Sequence, residues 1–229
     1  MGHRNDPNDM YSGVILKKEK IAEHTFHLKV QSSDFAQMNY VPGFTADVYV
    51  GNPYDNPFCE HRKYSFWNYD PVYHTADFAL CTFSNGKGAR WIQSAQVGEP
   101  VYFNQPQGKL LVDNTADNYL LIGDVTSLSH LYELHRGITI SKNVRSFIYT
   151  ECNDDLFADI DQSFPLDCHV ISAKSVTENV KQILLLSENV ENTIVYNFGD
   201  PGVCMAIHAA FKNEYHVPLK NLRTKPFWK

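Results

Sequence analysis

The chain has no apolar run near the roughly 20 residues that a membrane-crossing helix needs, so membrane insertion is not expected. Its opening, Met1-Gly2-His3-Arg4-Asn5-Asp6-Pro7, carries no apolar signal core, and the expectation is a cytoplasmic protein. Cysteine is sparse. The five present (Cys59, Cys81, Cys152, Cys168, Cys204) are odd in number and form no Cys-x-x-Cys pair, which points to reduced thiols and away from a disulfide framework or an iron-sulfur site. His24 with His27, or Cys59 beside His61, lack further ligands at usable spacing, so no metal site is expected. Surplus basic charge is also missing. A net charge of -6 argues against wrapping nucleic acid, because neutralising phosphates needs a basic field. There is no Gly-x-Gly-x-x-Gly, so any dinucleotide-binding fold must be read from pattern and not from a fingerprint.

What is present is length and flat rings. The 229 residues suffice for two domains of usual size, each with its own core. With 14 Phe, 13 Tyr and 3 Trp the chain is rich in stacking surface, while a mean hydropathy of -0.35 keeps it soluble.

The first half reads as antiparallel strands. Phe26, Leu28 and Val30 alternate with His27, Lys29 and Gln31; Phe44, Ala46, Val48 and Val50 alternate with Thr45, Asp47 and Tyr49. That period of two predicts half-buried sheet with one wet face. Pro42-Gly43 and the loop from Gly51 to Pro57 interrupt it, and Asp77 to Phe83 is a further strand candidate. The run Ser84-Asn85-Gly86-Lys87-Gly88-Ala89-Arg90-Trp91 predicts a glycine-bearing turn opening a short helix, whose N-H groups and Lys87 can hold a phosphate. The barrel is expected to end near Leu111-Val112.

In the second half the period changes. Tyr119 to Ile122, Phe147 to Tyr149, Val170-Ile171 and Ile194 to Tyr196 are continuous apolar runs, as in strands covered on both faces. Helical stripes separate them: Val176, Val180, Ile183 and Leu184 behind a capping pair of Ser175 and Glu178, and Val203, Ile207, Ala210 and Phe211. The alternation predicts a parallel sheet. Polar clusters Gly123-Asp124-Val125-Thr126-Ser127 and Gly199-Asp200-Pro201-Gly202 follow two of its strands, at the carboxyl ends where such sheets bind ligands. From Lys220 to Lys229 there are four bases and no acid, a cationic tail on an acidic chain.

The stretch His61-Arg62-Lys63-Tyr64-Ser65-Phe66-Trp67 concentrates the chemistry. In an extended chain Arg62 and Tyr64 point the same way, so a guanidinium can fork onto a diphosphate while a phenol ring lies against a ring system. That pairing suits a flavin dinucleotide.

The order of Pro42-Gly43, Arg62-x-Tyr64-Ser65, Asp77-Phe78-x-Leu80, Gly86 to Trp91, Gly123-Asp124-x-Thr126, Gly199-Asp200 and Pro226-Phe227-Trp228-Lys229 resembles the siderophore-interacting protein family. These are FAD-dependent ferric-siderophore reductases within the ferredoxin-NADP reductase superfamily. The resemblance implies an N-terminal antiparallel β-barrel that binds FAD (1–115), followed by an NAD(P)H-binding α/β domain with a parallel sheet and the cationic tail (116–229). It implies that Arg62, with Lys63 beside it, holds the FAD diphosphate, that Tyr64 stacks on the isoalloxazine and that Ser65 bonds near its N5 edge. Gly86, Lys87, Gly88 and Ala89 would line the phosphate turn, Asp124, Thr126 and Asp200 the nicotinamide nucleotide site, and Trp228 would return toward the flavin. The chain departs from the family pattern at Cys81, where a His is usual, and at Gly86-Lys87-Gly88-Ala89, where Gly-Pro-Ala-Ser is usual; Lys87 then supplies charge in place of a hydroxyl. Val125 stands for an acid, and Gly199-Asp200 for Gly-Glu.

The function implied is electron transfer from NADH or NADPH through FAD to Fe(III) in a ferric-siderophore chelate. Lys225 and Lys229 are candidates for a cationic rim that draws an anionic chelate, with Lys63 and Arg223 behind them. The acidic segment Thr150-Glu151-Cys152-Asn153-Asp154-Asp155 leans toward NADH, because a 2'-phosphate needs basic neighbours. Two alternatives stand beside this reading: a general NAD(P)H:flavin or acceptor reductase, and a non-catalytic relative that binds FAD or a siderophore.

Overall fold

A computed structural model describes residues 10–56, 58–185 and 192–227, with backbone alone over 181–185. The chain divides between Leu111 and Val112 into two compact units.

The first unit holds β1 (Met10–Ala22), β2 (Thr25–Gln31), β3 (Thr45–Tyr49), β4 (His61–Ser65), β5 (Asn68–Asp70), β6 (Thr75–Cys81), α1 (Lys87–Ser94) and β7 (Pro100–Asn104). The strands form one seven-stranded antiparallel sheet in the order β4-β3-β7-β1-β2-β6-β5, which curls into a barrel as β4 approaches β6. Leu28, Val30, Ala46, Val48, Phe78, Leu80 and Phe103 point inward, as the period of two predicts, around Phe35 and Phe66. The outer face is drier than expected. Thr45 and Tyr49 are buried because their hydroxyls donate to Gln107 O (3.0 Å) and to Asn104 Oδ1 (2.9 Å). The strand expected over Asp77 to Phe83 sits two residues earlier, since Thr82 turns its N-H to His24 O.

His27 and Asp77 also belong to that covered outer face. Asp77, 2% exposed, meets His27 Nε2 at 2.7 Å, Asn68 Nδ2 at 3.1 Å and Lys29 Nζ at 3.3 Å. Burial alone would raise its carboxyl, but the hydrogen bonds from His27 and Asn68 and the charge of Lys29 outweigh it and hold it below the usual range. A lowered folded value means stability that is present above the unfolded value near 3.8 and is lost as pH falls through the folded one. Asp77→Asn is therefore expected to cost about 2 kcal/mol at pH 7, the scale of hydrogen bonds to a charged group. Urea unfolding of both proteins should show the gap narrowing below pH 4, and an equal gap at all pH would overturn the assignment.

The second unit holds β8 (Asn118–Asp124), α2 (Leu128–Gly137), β9 (Asn143–Thr150), β10 (Cys168–Val170), α3 (Ala173–Leu185), β11 (Thr193–Gly199), α4 (Pro201–Asn213) and β12 (Leu222–Pro226). The five strands are all parallel, in the order β10-β9-β8-β11-β12. Val176, Val180, Val203, Ile207, Ala210 and Phe211 fill the helix-sheet core, while the side chains of Ile183 and Leu184 lie outside the described residues.

Three expectations are corrected. Val170-Ile171 is not covered on both faces: β10 is a three-residue edge strand and Val170 is 53% exposed. Ser175 does not cap α3, which starts at Ala173 with Ser172 Oγ accepting from Lys174 N, so Ser175 lies inside the first turn. The cationic tail is largely strand, because Leu222 to Pro226 pair in register with Val195 to Gly199. Among the described residues no helix is long and apolar enough to cross a membrane.

Candidate functional site

Arg62 and Tyr64 face Val48 and Ala46 across the β3–β4 pairing, so both lie on the inner side of the sheet. Lys63 and Ser65 take the other side, where Lys63 Nζ meets Asp47 Oδ1 at 2.8 Å. The structure thus brings Arg62 and Tyr64 together and leaves Lys63 apart from them. Tyr64 packs with Leu28, Val48, Phe78, Leu80 and Trp91, and burial pushes its phenol up to about 12 against the opposing pull of Arg62, so it remains a neutral donor.

The start of α1 closes over this pair. A Cβ at Gly88 would stand 2.5 Å from Tyr64 Oη and 3.2 Å from Arg62 Cγ, so only glycine lets the helix approach. Gly86 caps α1 without a side-chain hydrogen bond, which leaves its first N-H groups without a side-chain acceptor there. Ala89, buried behind them, packs the helix down, and Lys87 projects outward, 57% exposed at its side chain. Cys81 lies at the end of β6 with Sγ 3.6 Å from Thr25 Oγ1.

Sequence reading missed Glu60. Its Oε2 accepts from Arg62 Nη2 at 2.7 Å and its Oε1 from Lys87 Nζ, so one carboxylate bridges the two cations. The hydrogen bond from Lys87, then that from Arg62, holds this carboxyl below the usual range. Cations converging on an anion beside a flat ring, at a helix start with no side chain capping it, fit a ring-bearing phosphate ligand. The signal was an acid two positions before Arg62, on the same face of an extended chain.

In the second unit the sheet order reverses on either side of β8, which places Gly123 opposite Phe198 and brings Asp124 beside Gly199. Asp124 Oδ1 accepts from Thr126 N (2.9 Å) and Thr126 Oγ1 (2.5 Å). Burial raises its carboxyl, and nearby Asp200 adds to this. Gly199 has φ +115, and a Cβ there would meet the Asp124 carboxylate at 2.6 Å. Asp200 Oδ1 accepts from Val203 N at 2.9 Å and caps α4. Asp124, Thr126 and Asp200 are therefore together at the switch point of the sheet, where open parallel sheets take ligands.

Of the cationic candidates, Arg223 is tied to Asp113 and lies over the Tyr196 ring, and Lys225 Nζ sits 5.8 Å from the Phe227 ring centre. Trp228 and Lys229 lie outside the described residues. A second residue the sequence did not reveal is His130 on α2, 3% exposed, between Phe198 (4.9 Å) and Phe227 (5.6 Å).

No protein-family model matches the chain, and no curated protein does. Solved structures match along 96% of it. The siderophore-interacting protein of Acinetobacter baumannii superposes with a TM-score of 0.80 at 15% identity, over 90% of that protein. SipS of Aeromonas hydrophila, also a siderophore-interacting protein, gives 0.80 at 13% over 91% of its length, and the ferredoxin reductase in carbazole 1,9a-dioxygenase gives 0.79 at 18% over 69%. The chain has their fold. An antiparallel barrel followed by a parallel α/β sheet is thus the ferredoxin reductase-like architecture expected from the order of motifs, and the siderophore-interacting proteins are among the structures most like it.

Proposed function

We propose that this chain is a flavin-dependent oxidoreductase that holds FAD on its barrel and passes electrons from a reduced nicotinamide nucleotide to Fe(III) in a siderophore chelate. The observation that carries the reading is the convergence of Arg62, Lys87 and the start of α1 beside the Tyr64 ring, with Gly88 the glycine that makes the approach possible. Those residues fit the group. Arg62 would fork onto the diphosphate, Lys87 would add charge, the N-H groups of Gly88 and Ala89 would donate, and Tyr64 would offer a neutral ring and hydroxyl to the flavin. FAD, when bound, supplies the capacity to take two electrons as hydride and release them one at a time.

The remaining residues orient and attract. Asp124, Thr126 and Asp200 shape the switch point for the nucleotide donor, and Lys225 with Lys229 gives the C-terminal stretch positive charge that draws anionic chelates. Glu151 and Asp154, exposed beyond β9, would oppose a 2'-phosphate, which favours NADH over NADPH. The siderophore assignment is supported by the likeness to siderophore-interacting proteins; the ferredoxin reductase likeness favours the wider class of flavin reductases.

One anaerobic titration tests this. Purified protein incubated with FAD should keep a yellow spectrum through gel filtration, bleach with NADH more readily than with NADPH, and recover colour on adding a ferric chelate as Fe(II) appears. Protein that takes up no FAD would sink the proposal. Bleached protein that reduces free flavin but not ferric chelates would leave the general reductase in its place.

A further inference from the structure

Arg62 and Lys87 come from different elements, β4 and α1, and both already hold an anion belonging to the chain itself. Glu60 reaches them from the residue before β4, where its backbone still pairs with Val50 and so fixes its direction. One carboxylate has two oxygens, and each is spent on a different cation. A diphosphate approaching the same pair must displace it.

The side chains are exposed enough for that exchange. Glu60 is 41% exposed and Arg62 43%, so the carboxylate has water to rotate into once a better acceptor arrives. Exposed ion pairs are weak, and a diphosphate with more charge and more acceptor oxygens can outcompete them. The exchange still has a cost: the affinity measured for the dinucleotide is its intrinsic affinity multiplied by the fraction of molecules in which Glu60 has released the cations.

We infer that Glu60 is a resident competitor for the diphosphate site, a carboxylate that neutralises Arg62 and Lys87 when no dinucleotide is bound and that lowers the affinity for FAD so that the cofactor exchanges. This rests on the FAD reading above. It makes the chain bind FAD as a dissociable ligand, more weakly than its cations alone would allow.

The test compares wild type with Glu60→Gln, an exposed substitution that keeps the size of the side chain. Flavin fluorescence titrations with FAD and with riboflavin, which has no phosphate, separate the diphosphate from the ring. Glu60→Gln is expected to bind FAD about 5- to 10-fold more tightly at low salt, as follows from releasing two exposed ion pairs. The gain should shrink at about 0.5 M salt, where such charges are screened. Riboflavin affinity should not change. Equal or weaker FAD binding by the variant, with wild type still binding FAD, overturns the inference and leaves the flavin reading standing, because Glu60 would then be holding the cations in place. An equal gain for riboflavin overturns it too. If neither protein takes up FAD, the flavin reading itself fails and the inference goes with it.

Discussion

Arg62→Ala is expected to weaken FAD binding by about 10- to 100-fold, the loss of one charge-assisted, two-pronged contact worth roughly 1.5–3 kcal/mol. The contact is not a point charge on a strand surface. The Arg62 stem passes 3.2 Å from the position that a Cβ at Gly88 would occupy, against the start of α1, and its guanidinium shares the Glu60 carboxylate with Lys87. Arg62→Lys should recover part of the loss, because an ammonium keeps the charge and gives up the fork. Thermal unfolding of the apo proteins should hardly differ, since the Arg62 side chain is 43% exposed and its partner Glu60 is exposed as well. A fluorescence titration in which Arg62→Ala binds FAD like wild type would remove the cradle from consideration. The effect is also coupled to Glu60. In the Arg62→Ala background the carboxylate has only Lys87 to neutralise, so Glu60→Gln should then gain less than it does in wild type, a non-additivity expected of residues in direct contact.

What the sequence made legible was whatever repeats with a period. Alternation in Phe26 to Val30 located β2, and the stripe of Val203, Ile207, Ala210 and Phe211 located α4, because each pattern is the trace of one face meeting one core. Edges carry no such trace. Val170-Ile171 is as apolar as a central strand, yet β10 closes one side of the sheet; Leu222 to Pro226 is as basic as a tail, yet its backbone pairs with β11. Neighbour order decides those cases, and it is set by contacts far apart in the chain. The same division runs through the site. Arg62 and Tyr64 were readable together because a strand alternates, and Lys63 falls on the opposite face for the same reason. Glu60 was not readable as an ion-pair bridge, because Lys87 lies far along the chain from it and only the fold makes them meet.

Acidification should expose His130 as the costliest titrating group in the second unit. Burial between Phe198 and Phe227, with a smaller contribution from the charge of Lys225, lowers its imidazole from 6.5 to about 3. Among the described residues its Nδ1 has no hydrogen-bond partner, so nothing offsets the cost of charging it. The folded value lies below the unfolded one, which means that the unfolded chain binds the proton first. The stability that depends on the neutral ring is then complete above about pH 6.5 and drains away as pH falls toward 3. At pH 5 the unfolded state has been favoured over about 1.5 pH units, which at 1.36 kcal/mol per unit is about 2 kcal/mol. Burial lowers His135 in the same direction, whereas the raised carboxyl of Asp124 acts in the opposite sense, so the wild-type profile alone does not isolate one residue. The difference between wild type and His130→Leu does, since leucine cannot take up the proton and suits an apolar site. Urea midpoints between pH 7 and pH 5 should fall for wild type by about 2 kcal/mol more than for His130→Leu, whatever the two differ by at pH 7. Parallel profiles would mean that His130 takes up its proton alike in the folded and unfolded chain, and a smaller fall for wild type than for His130→Leu would mean that the ring is charged in the fold; either outcome overturns the prediction.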